Sequence, residues 1–158
     1  MSEIERKFLV DPSQWSPEDQ NSDAGTLIRQ GYLSLDPQRT VRVRRTSERA
    51  WLTIKGITEG IRRVEHEYEI PIEEAEQMLT ALCIAPIIDK TRYRVEVGDH
   101  QWEVDVFHGA NQGLVVAEIE LSSETEAFER PSWLGQEVSD DPRYFNNNLV
   151  NHPFSAWR

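Results

Sequence analysis

Along most of this chain, apolar and polar residues alternate one for one. Runs of this kind cover residues 2–10, 26–35, 39–46, 49–57, 63–70, 87–97, 100–108 and 114–122. A period of two sends successive side chains to opposite faces of a strand, so the pattern predicts eight half-buried β-strands. Turn formers lie between most of them. "SLDPQR" (34–39), "TSERA" (46–50) and "EVGDHQ" (96–101) read as hairpin connections, and "HGANQG" (108–113) as a further loop. One segment changes period. In "PIEEAEQMLTAL" (71–82), Ala75, Met78, Leu79 and Leu82 recur at helical spacing behind an initial Pro and early acids. This predicts a helix between the fifth and sixth strands. Glu3 and Lys7 are also spaced as a helical pair, but Asp11-Pro12 would end such a helix after barely two turns. The alternation of Ile4, Phe8 and Val10 favours a strand there. The last part, 123–158, is rich in acids, Pro and Asn, and "SETEAFER" and "RYFNNNLVN" read as short helices. No internal repeat or long linker divides the chain, so 1–158 is expected to be a single α+β domain, mainly antiparallel β.

The polar half of the alternation is almost purely ionic. The first strand carries Glu3, Glu5 and Lys7, the third Arg42 and Arg44, and the fourth Lys55. The fifth carries Glu65, Glu67 and Glu69, and the sixth Lys90, Arg92, Arg94 and Glu96. The seventh carries Glu103 and Asp105, and the eighth Glu118 and Glu120. A sheet with one solvated face also reads apolar-in and polar-out, and for any single strand that is the default. Solvated faces usually mix in Thr, Ser and Gln, however. Here the charges are also sorted by strand, basic on the third, fourth and much of the sixth, acidic on the fifth, seventh and eighth.

Composition narrows the partners. The chain has 158 residues, 38% of them hydrophobic, a formal net charge of −11 and one cysteine, with mean hydropathy −0.61. No run approaches the roughly 18 apolar residues of a membrane span, and no basic-then-apolar leader is seen. Cys83, lacking a partner, sits among Leu79, Leu82 and Ile84 and reads as a small buried hydrophobe, so a cytoplasmic protein is expected. So acidic a chain should repel nucleic acid and anionic membranes.

Eight antiparallel strands suffice to close a barrel around a small ligand. If the ionic faces point inward, the barrel is a tunnel with a charged interior, and the apolar faces are covered by flanking helices. Buried ions need partners. A polyanion bound with hard divalent cations would satisfy both signs, because Lys and Arg hold phosphate oxygens and carboxylates hold Mg²⁺ or Mn²⁺.

The ordered series "EIERKF", "RQGYL", "VRVRR", "LTIKG", "EHEYEI", "DKTRY", "EVDVF" and "VAEIEL" resembles the CYTH superfamily of triphosphate tunnel metalloenzymes. The opening E-x-E-x-K is that family's signature. The resemblance runs from Glu3 to about Asn148, where "DPRYFNNNL" is similar to the family's C-terminal helix. It implies an eight-stranded closed tunnel, open at both ends, and metal-assisted in-line attack of water on a triphosphate. It implies metal ligands at Glu3, Glu5, Asp105, Glu118 and Glu120, with Glu67 and Glu69 on the same acidic side. It implies phosphate contacts from Lys7, Arg42, Arg44, Lys55, Lys90, Arg92 and Arg94, and catalytic roles for Lys90, Glu5 and Glu120. No Ser, Cys or His nucleophile is needed.

Within the family, the motif at the very start resembles the short bacterial tripolyphosphatases, which implies hydrolysis of inorganic triphosphate. Thiamine triphosphatase, nucleoside triphosphatase and class IV adenylyl cyclase are the family alternatives. A polyphosphate- or nucleotide-binding module without catalysis is the alternative outside enzymology. Arg143 and Tyr144 are candidates for a helix that plugs a tunnel mouth, or for one packed outside. Trp133, Phe154 and Trp157 read as packing residues, and apolar outer positions leave room for a homodimer.

Overall fold

Hairpin follows hairpin along the first half of the chain. The structure, a computed structural model, describes residues 4–59 and 62–157. β1 (Ile4–Val10), β2 (Thr26–Ser34), β3 (Arg39–Arg45), β4 (Ala50–Glu59) and β5 (Arg62–Ile70) precede α1 (Ile72–Ala81). β6 (Ile88–Val97), β7 (His100–Phe107), β8 (Val115–Leu121) and β9 (Leu134–Glu137) follow. All pair antiparallel in one sheet of order β5-β4-β3-β2-β6-β7-β8-β1-β9. The β6–β7 turn shows why the alternation stops where it does. Val97 pairs with His100 across two residues, and Gly98 takes φ 60°, the left-handed conformation a tight hairpin needs at that place.

The mainly antiparallel, tunnel-like fold is as expected, with two details corrected. There are nine strands, because the short β9 adds to the edge of β1. Among the described residues the ladder does not close, and β5 and β9 are its edges. The sheet nevertheless curls on itself, since Glu65 of β5 and Glu5 and Lys7 of β1 line one cavity.

Hydrocarbon lies outside this curl. Phe8, Val95, Trp102, Val104, Ala117 and Ile119 point outward from β1, β6, β7 and β8 and are covered by Trp15, Phe128 and Trp133. Val43, Ala50 and Leu52 point outward from β3 and β4, beneath Ala75, Met78 and Leu79 of α1. Segment 123–130, expected to be a short helix, is instead a turn and extended chain. The Glu126 carboxylate accepts from the Ser122 N–H at 2.8 Å and meets His100 Nε2 at 2.5 Å, so it is tied back to β7. Phe128 then lies edge-on to Trp102, with ring centroids 5.7 Å apart.

The C-terminal segment turns inward. It forms a 3₁₀ turn at Pro142–Tyr144, α2 (Asn146–Asn151) and a second 3₁₀ turn at Phe154–Ala156. Tyr144, Leu149 and Val150 pack against Leu9, Tyr32, Ile88, Phe107 and Val116. Each of these strand residues is two positions from an interior residue on its own strand: Lys7, Gln30, Lys90, Asp105 and Glu118. The segment therefore stops one end of the interior, and the expectation of a tunnel open at both ends is corrected. Phe154 and Trp157 pack in the same cluster, Trp157 with its ring 5.0 Å from that of Tyr144.

Candidate functional site

The inward face of the curl encloses a cavity of about 680 Å³. Strand alternation places its walls. On β3, Val43 is buried outward, which turns Arg42 and Arg44 inward. On β1 and β8, outward Phe8 and Ile119 do the same for Lys7 and Glu118. Lys7, Arg42, Arg44, Lys55 and Arg92 supply cations to the cavity, and Glu5, Glu65, Glu103 and Glu118 supply carboxylates.

Most of these ions are already tied to a neighbouring strand. Lys7 Nζ lies 3.4 Å from Glu118 Oε1 and donates to the Tyr144 carbonyl at 3.0 Å. Lys55 Nζ is 3.9 Å from Glu65. Arg42 Nη2 is 3.9 Å from Glu67 and is bridged to it by the Thr53 hydroxyl, which donates to Glu67 at 2.9 Å. Arg44 differs. Its Nε donates to the Gln30 amide oxygen at 2.8 Å, and among the described residues no carboxylate comes within ion-pair distance of it. Burial, reinforced by the neighbouring charges of Arg42 and Arg92, pushes the Arg44 pKa down to about 10.

Behind this wall sits a buried hub. Asp105 takes two hydrogen bonds from Arg92, at 2.8 and 3.0 Å, and one from the Lys90 ammonium at 2.9 Å. Lys90 is fully buried. Burial pushes its pKa down to about 8 against the pull of Asp105. Asp105 must share its single charge with Arg92, so it compensates Lys90 incompletely. Burial opposes the charge on Asp105, but Lys90 and Arg92 together hold its carboxyl well below the usual range. Glu118 is lowered in the same manner: burial opposes its charge and Lys7 leads the groups that outweigh it.

The expected site residues therefore separate by depth. Glu5, Lys7, Arg42, Arg44, Lys55, Arg92 and Glu118 line the cavity. Lys90 and Asp105 lie behind it. Arg94 is half-exposed, 3.9 Å from Asp23. Glu69 is held by Arg49, whose Nε donates at 2.6 Å, and Glu67 is half-exposed. Glu120 is exposed and pairs across the ladder with Glu5, as Glu118 does with Lys7 and with Glu103. Glu3 lies outside the described residues. Several lining residues escaped the sequence reading. Glu65 and Glu103 stood in the charged rows without a role. Tyr32 and Thr40 carried no signal beyond an inward register, and Ser139, Phe145, Asn146 and Asn147 come from the C-terminal stopper.

A divalent cation needs several oxygen donors. Glu5, Glu118 and Glu120, with Glu103 opposite Glu118, form a stretch of oxygen-only donors on three adjacent strands, the chemistry that Mg²⁺ or Mn²⁺ takes. Among the described residues no three acidic, histidine or cysteine side chains are already gathered for an ion. The donor set fits a cation that also draws ligands from a bound oxyanion.

A family model described as CYTH domain matches residues 1–152. The chain is 46% identical over 156 residues to an inorganic triphosphatase of Acetivibrio thermocellus, covering 99% of this chain and 97% of that protein. It is 36% identical over 154 residues to an inorganic triphosphatase of Nitrosomonas europaea, covering 95% and 97%. A crystal structure described as that of an inorganic triphosphatase matches at TM-score 0.72 and 34% identity, over 95% of each chain. In sequence along nearly its whole length and in the course of its backbone, this chain belongs to the CYTH family.

Proposed function

We propose that the protein hydrolyses inorganic triphosphate to diphosphate and phosphate in this cavity, with Mg²⁺ or Mn²⁺ as cofactor. The observation that carries the reading is the cationic wall of Lys7, Arg42, Arg44, Lys55 and Arg92, facing carboxylates across about 680 Å³. The likeness to two inorganic triphosphatases at 46% and 36% identity supports it. Five cations drawn from four strands suit a short chain of phosphoryl groups, and Arg42, Arg44 and Arg92 can each bind phosphate oxygens in bidentate fashion.

The reaction breaks one bridging P–O bond. Water's oxygen bonds to the terminal phosphorus, the bridging oxygen leaves with diphosphate, and a proton is released. The wall stabilises charge on the transferred group and on the leaving diphosphate. Glu5, Glu118 and Glu120 would hold the cation, which supplies charge neutralisation and polarisation of the phosphoryl oxygens. Glu5 and Glu120 also orient the attacking water. Lys90, whose pKa beside Asp105 is lowered by burial to about 8, is suited to proton exchange near neutral pH. Asp105 itself acts as the tie that aims Arg92 rather than as a free metal ligand. Glu67, Glu69 and Arg94 serve the approach to the site. The reading places the enzyme in the cytoplasm, acting on a small molecule and needing neither nucleic acid nor membrane.

The test is phosphate release from tripolyphosphate, thiamine triphosphate and ATP, each with Mg²⁺, Mn²⁺ or EDTA. Cation-dependent release from tripolyphosphate, faster than from the other two, is expected. A preference for ATP or thiamine triphosphate would move the protein to another activity of its family, and no release from any would make it a binder.

A further inference from the structure

Gln30 sits in the interior of β2 and is fully buried. It pairs with Arg44 of β3 on one side and with Ile88 of β6 on the other. Its amide oxygen accepts from Arg44 Nε at 2.8 Å, and its Nε2 is a buried donor with no acceptor. The amide orientation follows from the contact itself, because turning it over would face two donors at each other.

A neutral partner is out of keeping with the rest of this wall. Lys7, Lys55 and Arg92 each lie within 4 Å of a carboxylate, and so does Arg42. Arg44 alone is fixed by an amide. A glutamate at position 30 would have nearly the same shape and would hold Nε at least as well, but it would neutralise the guanidinium. An amide holds the side chain in place and leaves its charge and its terminal nitrogens for another anion. The spare Nε2 donor adds a second group that only an acceptor could satisfy.

We infer that Gln30 is a positioning and specificity-determining residue, which fixes Arg44 for a polyphosphate without consuming its charge. This rests on the reading of the cavity as a triphosphate site. Gln30 holds Arg44 through Oε1 from behind the cavity lining.

The experiment compares wild type, Gln30→Glu and Gln30→Met. Calorimetry follows metal-free tripolyphosphate binding in EDTA, steady-state kinetics gives KM and kcat with Mg²⁺, and thermal unfolding of the ligand-free proteins reports folding. Gln30→Glu keeps the acceptor and gains an ion pair, so its ligand-free Tm should be at or above that of Gln30→Met. Its dissociation constant and KM should nevertheless rise about tenfold or more, with a smaller change in kcat, while Gln30→Met weakens binding less. A merely structural role predicts the reverse order, with affinity following Tm. Wild-type affinity in Gln30→Glu, or weaker binding in Gln30→Met than in Gln30→Glu, overturns the inference. Wild type that binds tripolyphosphate but fails to hydrolyse it would defeat the functional reading while the binding comparison still decides the role of Gln30. Wild type that does not bind it at all defeats both.

Discussion

Asp105 shows how one residue can hold an interior of like charges together. It is the shared anion of Lys90 and Arg92, and its side chain is 2% exposed. Replacing it by Asn keeps the shape, leaves the buried Lys90 without a counter-ion and leaves Arg92 only Glu103, 3.1 Å from its Nη1. Loss of one partner from a buried ion pair costs about 3–5 kcal/mol, and Asp105→Asn should lose about that much stability at pH 7, measured by urea unfolding. The pH dependence has a definite sign. The folded-state pKa of Asp105 is lowered, so its contribution is fully present above the unfolded-state value, about 3.9. It fades as pH falls further, toward the lower folded-state value. Wild type and variant should therefore converge in stability as pH is taken below about 4. A constant gap down to pH 3 would mean that the carboxylate's charge is not what the residue contributes. Lys90 acts on the alkaline side. Its pKa is lowered on folding, so the unfolded chain holds that proton more tightly, and this group's effect is a stability that rises as pH climbs from about 8 toward the ordinary lysine range.

The C-terminal stopper is the element whose removal should reach furthest. Leu149 is fully buried among interior-facing residues of several strands, so Leu149→Ala should cost about 2–5 kcal/mol through lost transfer energy and a residual cavity. The same urea experiment checks this. A cost below 1 kcal/mol would mean that α2 docks loosely and that the interior end is stopped by Tyr144 alone. β9 was not legible in the sequence, and the C-terminal stopper was legible as a short helix but not as the choice between plugging a mouth and packing outside. β9 has four residues and three of them are exposed, so no alternation marks it. The stopper's partners lie between 28 residues (Val116 to Tyr144) and 141 residues (Leu9 to Val150) away in sequence, and a short run of Asn carries no sign of which face of the sheet it meets. The eight long strands and α1 were legible because each buries one face, and a period of two or 3.6 records that burial locally. What alternation records is the face and not the depth. Lys90 and Arg94 share a strand face four residues apart, yet Lys90 is fully buried and the Arg94 side chain is 52% exposed beside Asp23. Depth depends on where the sheet curls and on what stops its end, both set by contacts between distant segments. The same limit hid Gln30, whose type suggested nothing until Arg44 was seen beside it.

For the molecule as a whole, the net charge of −11 and the affinity for a polyanion pull in opposite directions. At long range the protein repels the ligand, while inside the cavity five cations face it. Which effect wins is decided by distance. At physiological ionic strength the Debye length is about 8 Å, so the repulsion from outlying acids is largely screened, whereas contacts inside a partly enclosed cavity are not. Tripolyphosphate should therefore stabilise the fold by mass action. At one hundred times its dissociation constant the gain is about 2.7 kcal/mol. For a chain of this length each kcal/mol raises Tm by about 2–4 °C, so the expected rise is about 5–11 °C. Salt alone also relieves repulsion among the 28 acidic residues, so the control must be sodium chloride at matched ionic strength. Arg44→Ala distinguishes the two effects. It should keep the response to chloride, which acts on the whole surface, and lose most of the response to tripolyphosphate, which acts at one wall. Equal shifts from both salts in wild type would show that the anion is felt only as ionic strength, and the charged interior would then be a feature of folding rather than of binding.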